Sequence, residues 1–378
     1  MEPISVMVVD DSALMRNIIG RIVEETPNLK VETKAINGLF ALKKLETASP
    51  DVIILDLEMP EMNGIEFLKK RKELGIEIPV IILSSIARQG AQITMEALSL
   101  GASDFILKPS GGQGENISAV AEQLRGLIFA YGGRYHELKK LGQVEQKRQH
   151  FQTGIVINEV RTSAEAPKVS PVRLSPIKTY HDLQAILIGV STGGPNALRK
   201  VFAELSPNIK LPILVVQHMP PGFTTEFARS LDRLSPLEVK EAEDGDMVRS
   251  GRILIAPGDY HLEVERKQLG VIAKINQKPL WNGHRPSVGM LYKSALSVWG
   301  EHLCAIIMTG MGKDGSEEIG EIRRAGGLTI GQDAASSVVY GMPRVAEELG
   351  NLEMLVPLEN MASLINEVGS TGSLSPRN

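Results

Sequence analysis

Along this chain, short and nearly unbroken apolar runs alternate with longer stretches in which apolar residues recur at helical spacing. The alternation occupies two blocks. In the first, residues 1–133, the runs at 5–9, 31–35, 52–55, 80–83 and 104–107 predict strands. The amphipathic stretches at 13–25, 38–47, 64–74, 91–100 and 117–130 predict the helices between them. Alternating β/α units imply a parallel sheet with helices on both faces. Ligands of such sheets sit at the carboxyl ends of the strands, near a topological switch point.

The pattern dissolves between residues 134 and 180 into Lys, Gln, Glu, Ser and Pro, with three prolines inside 161–178, and this composition predicts a linker. Its opening part, 136–149, is charged and able to extend a helix. Alternation returns over 181–368, with strands expected at 185–190, 213–217, 252–256, 305–309 and 327–331. Helices are expected at 195–205, 224–234, 290–299 and 315–325, and residues 369–378 form a tail. The fold class is therefore α/β, with two doubly wound parallel-sheet domains joined by a linker. Nothing at sequence level relates the two halves as a repeat.

Composition narrows the function. Aromatic residues are 4% of the 378, too few for a base-stacking surface, and 41 Lys+Arg against 45 Asp+Glu leave no basic footprint for nucleic acid or anionic lipid. The single cysteine, Cys304, lies in the apolar run 303–308 and reads as a buried structural thiol in a reducing compartment. No basic segment followed by a long apolar stretch opens the chain, and no apolar run approaches the ~20 residues of a membrane helix, so a cytoplasmic location is expected.

In the first block a polar group closes each of several strands: Asp10 and Asp11 the first, Asp56 the third, Ser84 the fourth, Lys108 the fifth, just before Pro109. A parallel sheet gathers them at one edge, where three carboxylates repel each other unless a hard cation joins them. Mg²⁺, with its preference for carboxylate, water and phosphate oxygens, suits that set. Asp56 is then a carboxylate nucleophile toward a phosphoryl group, Lys108 neutralises charge, and the Ser84 hydroxyl donates to a phosphoryl oxygen. Any one of these carboxylates alone is better explained as a helix cap or a solvated loop residue. Together they resemble the receiver domains of two-component response regulators over residues 3–131. The match is carried by Asp56-Leu57-Glu58-Met59-Pro60-Glu61-Met62-Asn63-Gly64 and by Gly101-Ala102-Ser103-Asp104-Phe105-Ile106-Leu107-Lys108-Pro109. The resemblance implies a flavodoxin-like sheet, phosphorylation of Asp56, Mg²⁺ held by Asp10, Asp11 and Asp56, and a switch aromatic at Phe105, a position that otherwise reads as core.

In the second block Gly189-Val190-Ser191-Thr192-Gly193 fits the G-x-S-x-G pattern between an apolar strand and a helix with Pro195 in its first turn. A glycine-rich turn of this kind also cradles phosphates or dinucleotides, although no complete G-x-G-x-x-G is present. A nucleophilic serine needs a base and an orienting acid. Of His181, His218, His261, His284 and His302, only His218 closes a strong strand, which brings it to the edge shared with Ser191. A lone histidine elsewhere is more simply a surface or hydrogen-bonded core residue. By the same reasoning the acid is Asp314, in the turn after residues 306–309, or Asp259, after the strand at 252–256. The order Ser, His, Asp differs from that of α/β-hydrolases, so the motif does not bring that fold with it.

Residues 185–365 resemble the catalytic domain of the chemotaxis response regulator protein-glutamate methylesterases. The matching segments are Ser191-Thr192-Gly193-Gly194-Pro195, Gln217-His218-Met219-Pro220, Ala256-Pro257-Gly258-Asp259-Tyr260-His261, His284-Arg285-Pro286-Ser287-Val288 and Met308-Thr309-Gly310-Met311-Gly312-Lys313-Asp314-Gly315. Gln332-Asp333 and Tyr340-Gly341-Met342-Pro343 follow in order. The resemblance implies a Rossmann-like domain, a triad of Ser191, His218 and Asp314, and oxyanion donors at the backbone amides of Thr192 and Met311. It departs from the family at Gly289, where an acid usually follows the valine, and at Ala334, where an acid is common after Gln-Asp.

The expected activity is hydrolysis of glutamate methyl esters, with deamidation of glutamine, on the cytoplasmic domains of chemoreceptors. The expected phosphodonor is a sensor histidine kinase, and the unphosphorylated receiver is expected to restrict access to the triad. Neither nucleic acid nor a cofactor for the esterase step is expected; membrane proximity comes only through receptors, and the chain is expected to be a monomer. Arg285 attracts an acidic substrate segment or, as the simpler reading of one arginine, makes a surface salt bridge. The rival readings are a receiver-regulated esterase for some other ester and a non-enzymatic response regulator.

Overall fold

The structure, a computed structural model, describes residues 2–85, 88–108, 114–142 and 176–376. The expected linker lies in large part outside the described residues, as does Pro109. Among the described residues no helix is long and apolar enough to cross a membrane. The chain divides into two units, each with its own core.

In the first unit, β1 (Ile4–Val9), β2 (Leu29–Ala35), β3 (Val52–Asp56), β4 (Val80–Ser84) and β5 (Asp104–Leu107) form one sheet of order β2-β1-β3-β4-β5, every pair parallel. β1, β3 and β4 are buried at every residue, as strands covered on both faces must be. The intervening helices are α1 (Ala13–Glu24), α2 (Gly38–Leu45), α3 (Gly64–Glu73), α4 (Arg88–Ser99) and α5 (Gly114–Leu127). Polar side chains start them where the strand-end loops finish. Ser12 and Asn37 accept from backbone amides as N-caps, and Asn63 with Glu66 makes a reciprocal capping box. A wider turn over Ile128–Gly132 leads into α6 (Gly133–Lys140), so the first residues of the expected linker are helical. Asp51 holds α6 to the sheet: it accepts from Ser5 N and Oγ, contacts His136 Nδ1 at 2.9 Å and pairs with Lys139 at 3.2 Å.

The second unit is built on a seven-stranded parallel sheet. Its strands are β6 (Ala185–Val190), β7 (Ile213–Gln217), β8 (Glu238–Glu241), β9 (Arg252–Ile255), β12 (Leu303–Ile307), β13 (Leu328–Gln332) and β14 (Met354–Val356), in the order β14-β13-β12-β6-β7-β9-β8. A separate antiparallel hairpin joins β10 (His261–Lys267) to β11 (Gly270–Asn276). Helices α7 (Gly194–Ala203), α8 (Phe223–Asp232), α9 (Val288–Trp299), α10 (Glu318–Ala325), α11 (Met342–Glu348) and α12 (Leu358–Thr371) complete the unit. Several expected bounds shift by a few residues, those of β12 and α10 among them. β12 spans 303–307 rather than 305–309, because Met308 and Thr309 already belong to the turn, and α10 begins at Glu318 rather than 315 because residues 310–317 form the loop before it. The hairpin, β8, β14, α11 and α12 are additions to the expected elements. Beyond α12, Leu374 exchanges two backbone hydrogen bonds with Tyr180.

Candidate functional site

Strand order reverses between β1 and β3 in the first unit, and the expected acidic residues gather there. Asp10, Asp11 and Asp56 offer carboxylate oxygens that all lie within 4.8 Å of one another. Asp10 and Asp56 are buried, and Lys108 reaches both, 3.2 Å from Asp10 and 2.7 Å from Asp56. Burial, then the Asp56 charge, raises the Asp10 carboxyl above its ordinary value, while Lys108 works against the rise. Burial disfavours the Lys108 charge, but its contacts with Asp56 and Asp10 prevail and hold it above the ordinary lysine value. One ammonium against three carboxylates leaves net negative charge, which fits a hard divalent cation. Ser84 ends β4 and Phe105 is buried in β5, at the positions where the sequence puts them.

The second unit has its own reversal, between β12 and β6, and the expected triad residues follow the strands around it. Ser191 follows β6, His218 follows β7 and Asp314 lies in the loop after β12. Register aligns the first two: Val190 pairs with Gln217, and His218 N donates to Val190 O at 3.1 Å. The serine turn is held from both sides. Gln217 Nε2 donates to Ser191 O at 2.9 Å, Ser191 N donates to Thr309 O at 3.0 Å, and Thr309 Oγ1 donates to Thr192 O at 2.9 Å. Gly193 takes a left-handed φ of 78°, which lets the chain pass from strand to helix within this turn. Gly310 packs so tightly that a Cβ there would lie 2.7 Å from Ser191 Cβ.

His218 Nε2 bonds Asp314 Oδ2 at 2.8 Å, while Nδ1 is buried and has no hydrogen-bond partner among the described residues. The structure thus brings His218 to Asp314 and leaves Asp259 elsewhere, in a 2.7 Å salt bridge to Arg285. That bridge is the simpler of the two roles expected for Arg285. Asp314 also accepts from Ser287 Oγ at 2.7 Å, Val288 N at 2.7 Å and Gly289 N at 3.2 Å, so it sits at the N-terminus of α9. Burial raises its pKa, but the bonds from His218, Ser287 and Val288 outweigh burial and hold it below 3.8. Ser191 Oγ makes no hydrogen bond to His218 among the described residues; catalytic contacts of this kind commonly close only around substrate. The backbone amides of Thr192 and Met311 donate to no protein acceptor among the described residues, which leaves both available to an oxyanion.

Sequence reasoning gave His284 no role. Its ring stacks on that of His218, centroids 3.8 Å apart and planes 9° from parallel. Burial, then the neighbouring His218, pushes its pKa down to about 4. His261 is buried and bonds Pro279 O, the hydrogen-bonded core role expected of a lone histidine. Cys304 is buried and free, as expected, with its thiol pushed up to about 12 by burial.

The model of the CheB methylesterase family matches residues 186–365, and that of the response regulator receiver domain matches residues 6–120. A protein-glutamate methylesterase/protein-glutamine glutaminase of Treponema denticola is 53% identical over 371 residues, covering 98% of this chain and 99% of its own. This chain belongs to the protein-glutamate methylesterase family. A methylesterase of the same description from Treponema pallidum is 47% identical over 391 residues, covering 97% of each chain. The solved methylesterase catalytic domain of Thermotoga maritima CheB is 38% identical, covering 49% of this chain and 98% of that one, with a TM-score of 0.48. Both expected parts, a receiver domain and a methylesterase domain, are therefore present in two parallel-sheet α/β units.

Proposed function

We propose that this methylesterase hydrolyses the γ-methyl esters of glutamyl side chains, and the γ-amides of glutaminyl side chains, on the cytoplasmic domains of chemoreceptors, under control of its receiver domain. The observation that carries the reading is the 2.8 Å His218–Asp314 bond, together with undonated amides at Thr192 in the serine turn and at Met311 in the loop after β12. Ser191 Oγ attacks the γ-carbonyl carbon, and His218 Nδ1, the ring nitrogen not engaged by Asp314, takes the hydroxyl proton. Asp314, kept ionised at the α9 N-terminus, fixes the tautomer and stabilises the imidazolium. The amides of Thr192 and Met311 receive the oxyanion. As the tetrahedral intermediate collapses, His218 returns the proton to departing methanol or ammonia, and water then hydrolyses the glutamyl-serine ester by the same route in reverse.

In the receiver, Asp56 is the carboxylate that accepts a phosphoryl group from a histidine kinase, the phosphorus–nitrogen bond breaking as the acyl phosphate forms. Asp10, Asp11 and Asp56 are the residues that would hold Mg²⁺, whose chemistry there is to neutralise the phosphoryl oxygens. Lys108 supplies a second positive charge and Ser84 a hydroxyl donor, and Phe105 serves as the switch aromatic.

The test is methanol release from methylated receptor, with and without a small phosphodonor. Ser191→Ala abolishes release while leaving phosphorylation of Asp56 intact, and Asp56→Asn keeps basal release but removes the response to phosphodonor. Unchanged release from Ser191→Ala ends the triad assignment, and a retained response in Asp56→Asn means another acceptor.

A further inference from the structure

Glu318, the first residue of α10, keeps its side chain at 4% exposure, where an ionised carboxylate is costly unless its oxygens are bonded. One oxygen is bonded: Oε1 accepts from the Trp281 indole Nε1 at 2.8 Å. The other, Oε2, is buried without a hydrogen-bond partner among the described residues. It lies against Gly289, where a Cβ would fall 2.7 Å from Glu318 Cδ, so the carboxylate takes the space a side chain at 289 would need.

Trp281 leads from this carboxylate to the catalytic pair. Its ring is fixed at the indole nitrogen by Glu318 and covered by Lys293, whose Nζ lies 4.3 Å from the ring centroid. Trp281 and His284 exchange backbone hydrogen bonds of 3.1 and 3.0 Å, closing a tight turn whose inner residues, Asn282 and Gly283, both have positive φ. Two residues of that turn touch the pair: Asn282 Nδ2 donates to Asp314 Oδ1 at 3.4 Å, and the His284 ring is stacked on His218.

We propose that Glu318 is a positioning residue for ester hydrolysis, acting through Trp281 to fix the turn 281–284 and hold the His284 ring over His218. The inference rests on the reading of His218 as the base. The stacked ring covers one face of the imidazole, limiting its rotation and the access of water, so that Nε2 stays on Asp314 and Nδ1 stays toward the serine. Because His284 is neutral at working pH, it adds no charge against the imidazolium that forms when His218 takes the serine proton.

The test uses the full chain and methylated receptor. Glu318→Ala lowers kcat about tenfold with KM within about twofold, because an organising contact is lost rather than a substrate contact. Glu318→Gln, whose amide oxygen still accepts from the indole, restores kcat to within about twofold of the parent. Trp281→Phe reproduces the loss and remains informative if Glu318→Ala does not fold. The double variant is no worse than either single one, since the two residues act in series. The chain has two tryptophans, so the Trp281 indole N–H resonance can be followed directly, and it moves upfield in Glu318→Ala but not in Glu318→Gln. Parent-like kcat in Glu318→Ala or Trp281→Phe, with the indole resonance displaced or absent, overturns the proposal, as does a lowered unfolding temperature with kcat intact. Ser191→Ala run alongside separates the two readings: activity there removes the triad, whereas a dead Ser191→Ala with a fully active Glu318→Ala removes only the positioning role.

Discussion

The carboxylate of Asp314 collects donors from three directions, and the residues around it set what can titrate near the His218–Asp314 pair. Its own pKa lies below the ordinary value, so it stays ionised through the physiological range. His284 is the group that responds. Its folded pKa of about 4 lies below the ordinary 6.5, so between those values the unfolded chain binds the proton that the folded chain refuses. The stability this neutral ring contributes is complete above 6.5, declines as pH falls toward about 4, and declines no further below it. His284→Phe, which keeps a flat ring but cannot titrate, flattens that part of the profile; urea unfolding followed across the window measures it. The proposed triad was partly legible in sequence: strand ends announce Ser191 and His218, two acids stood after strands, and the choice of Asp314 came from family resemblance rather than from spacing. Asp259 has a positive φ and faces Arg285, while Asp314 meets the imidazole. His284 carries no local signal at all, since stacking depends on a turn that is far from His218 in sequence. The missing acid at Gly289 has a spatial counterpart in Glu318, which spacing alone does not reveal. Ala334 is exposed, and nothing in the structure explains it.

At the scale of elements, the buried parallel strands were the legible part. β5, β6 and β7 match the expected bounds because each is an apolar run closed by a polar residue. The elements that escaped are edge or surface pieces. β8 reads Glu-Val-Lys-Glu, and the hairpin strand β10 ends in Glu-Arg-Lys, so neither presents an apolar run. α12 does carry helical spacing at Met361, Leu364, Ile365 and Val368, a signal sufficient to identify it. The loop between β12 and α10 is where strand ends become a site, because Gly310 lets it approach the serine turn. Gly310→Ala would set a methyl group 2.5 Å from Met342 Sδ and 2.7 Å from Ser191 Cβ. The expected outcome is a loss of more than about tenfold in kcat with far-UV circular dichroism unchanged, since the strands on either side keep their pairing.

Across the whole molecule, one principle is used twice. Each unit gathers its candidate site residues at the carboxyl ends of strands flanking a reversal in strand order. Sequence reasoning reaches this far because polar residues after apolar strands mark the same edge in both halves. Communication between the units is a separate matter from either fold. Deleting residues 1–140 is expected to raise basal methanol release, and a quiet but folded fragment would contradict restraint by the receiver. Such a fragment has the means to fold, since the second unit's hydrophobic core is its own. The ends of that unit are paired, Tyr180 and Leu374 being joined by hydrogen bonds of 2.8 and 3.1 Å. Entry and exit share one doorway, so the esterase is portable: a guest that can be grafted into a surface loop of another protein without stretching its host. Sealing that doorway with a short peptide and reopening the chain at the hairpin tip beside Leu269, which is 93% exposed, should give a circularly permuted enzyme that still releases methanol.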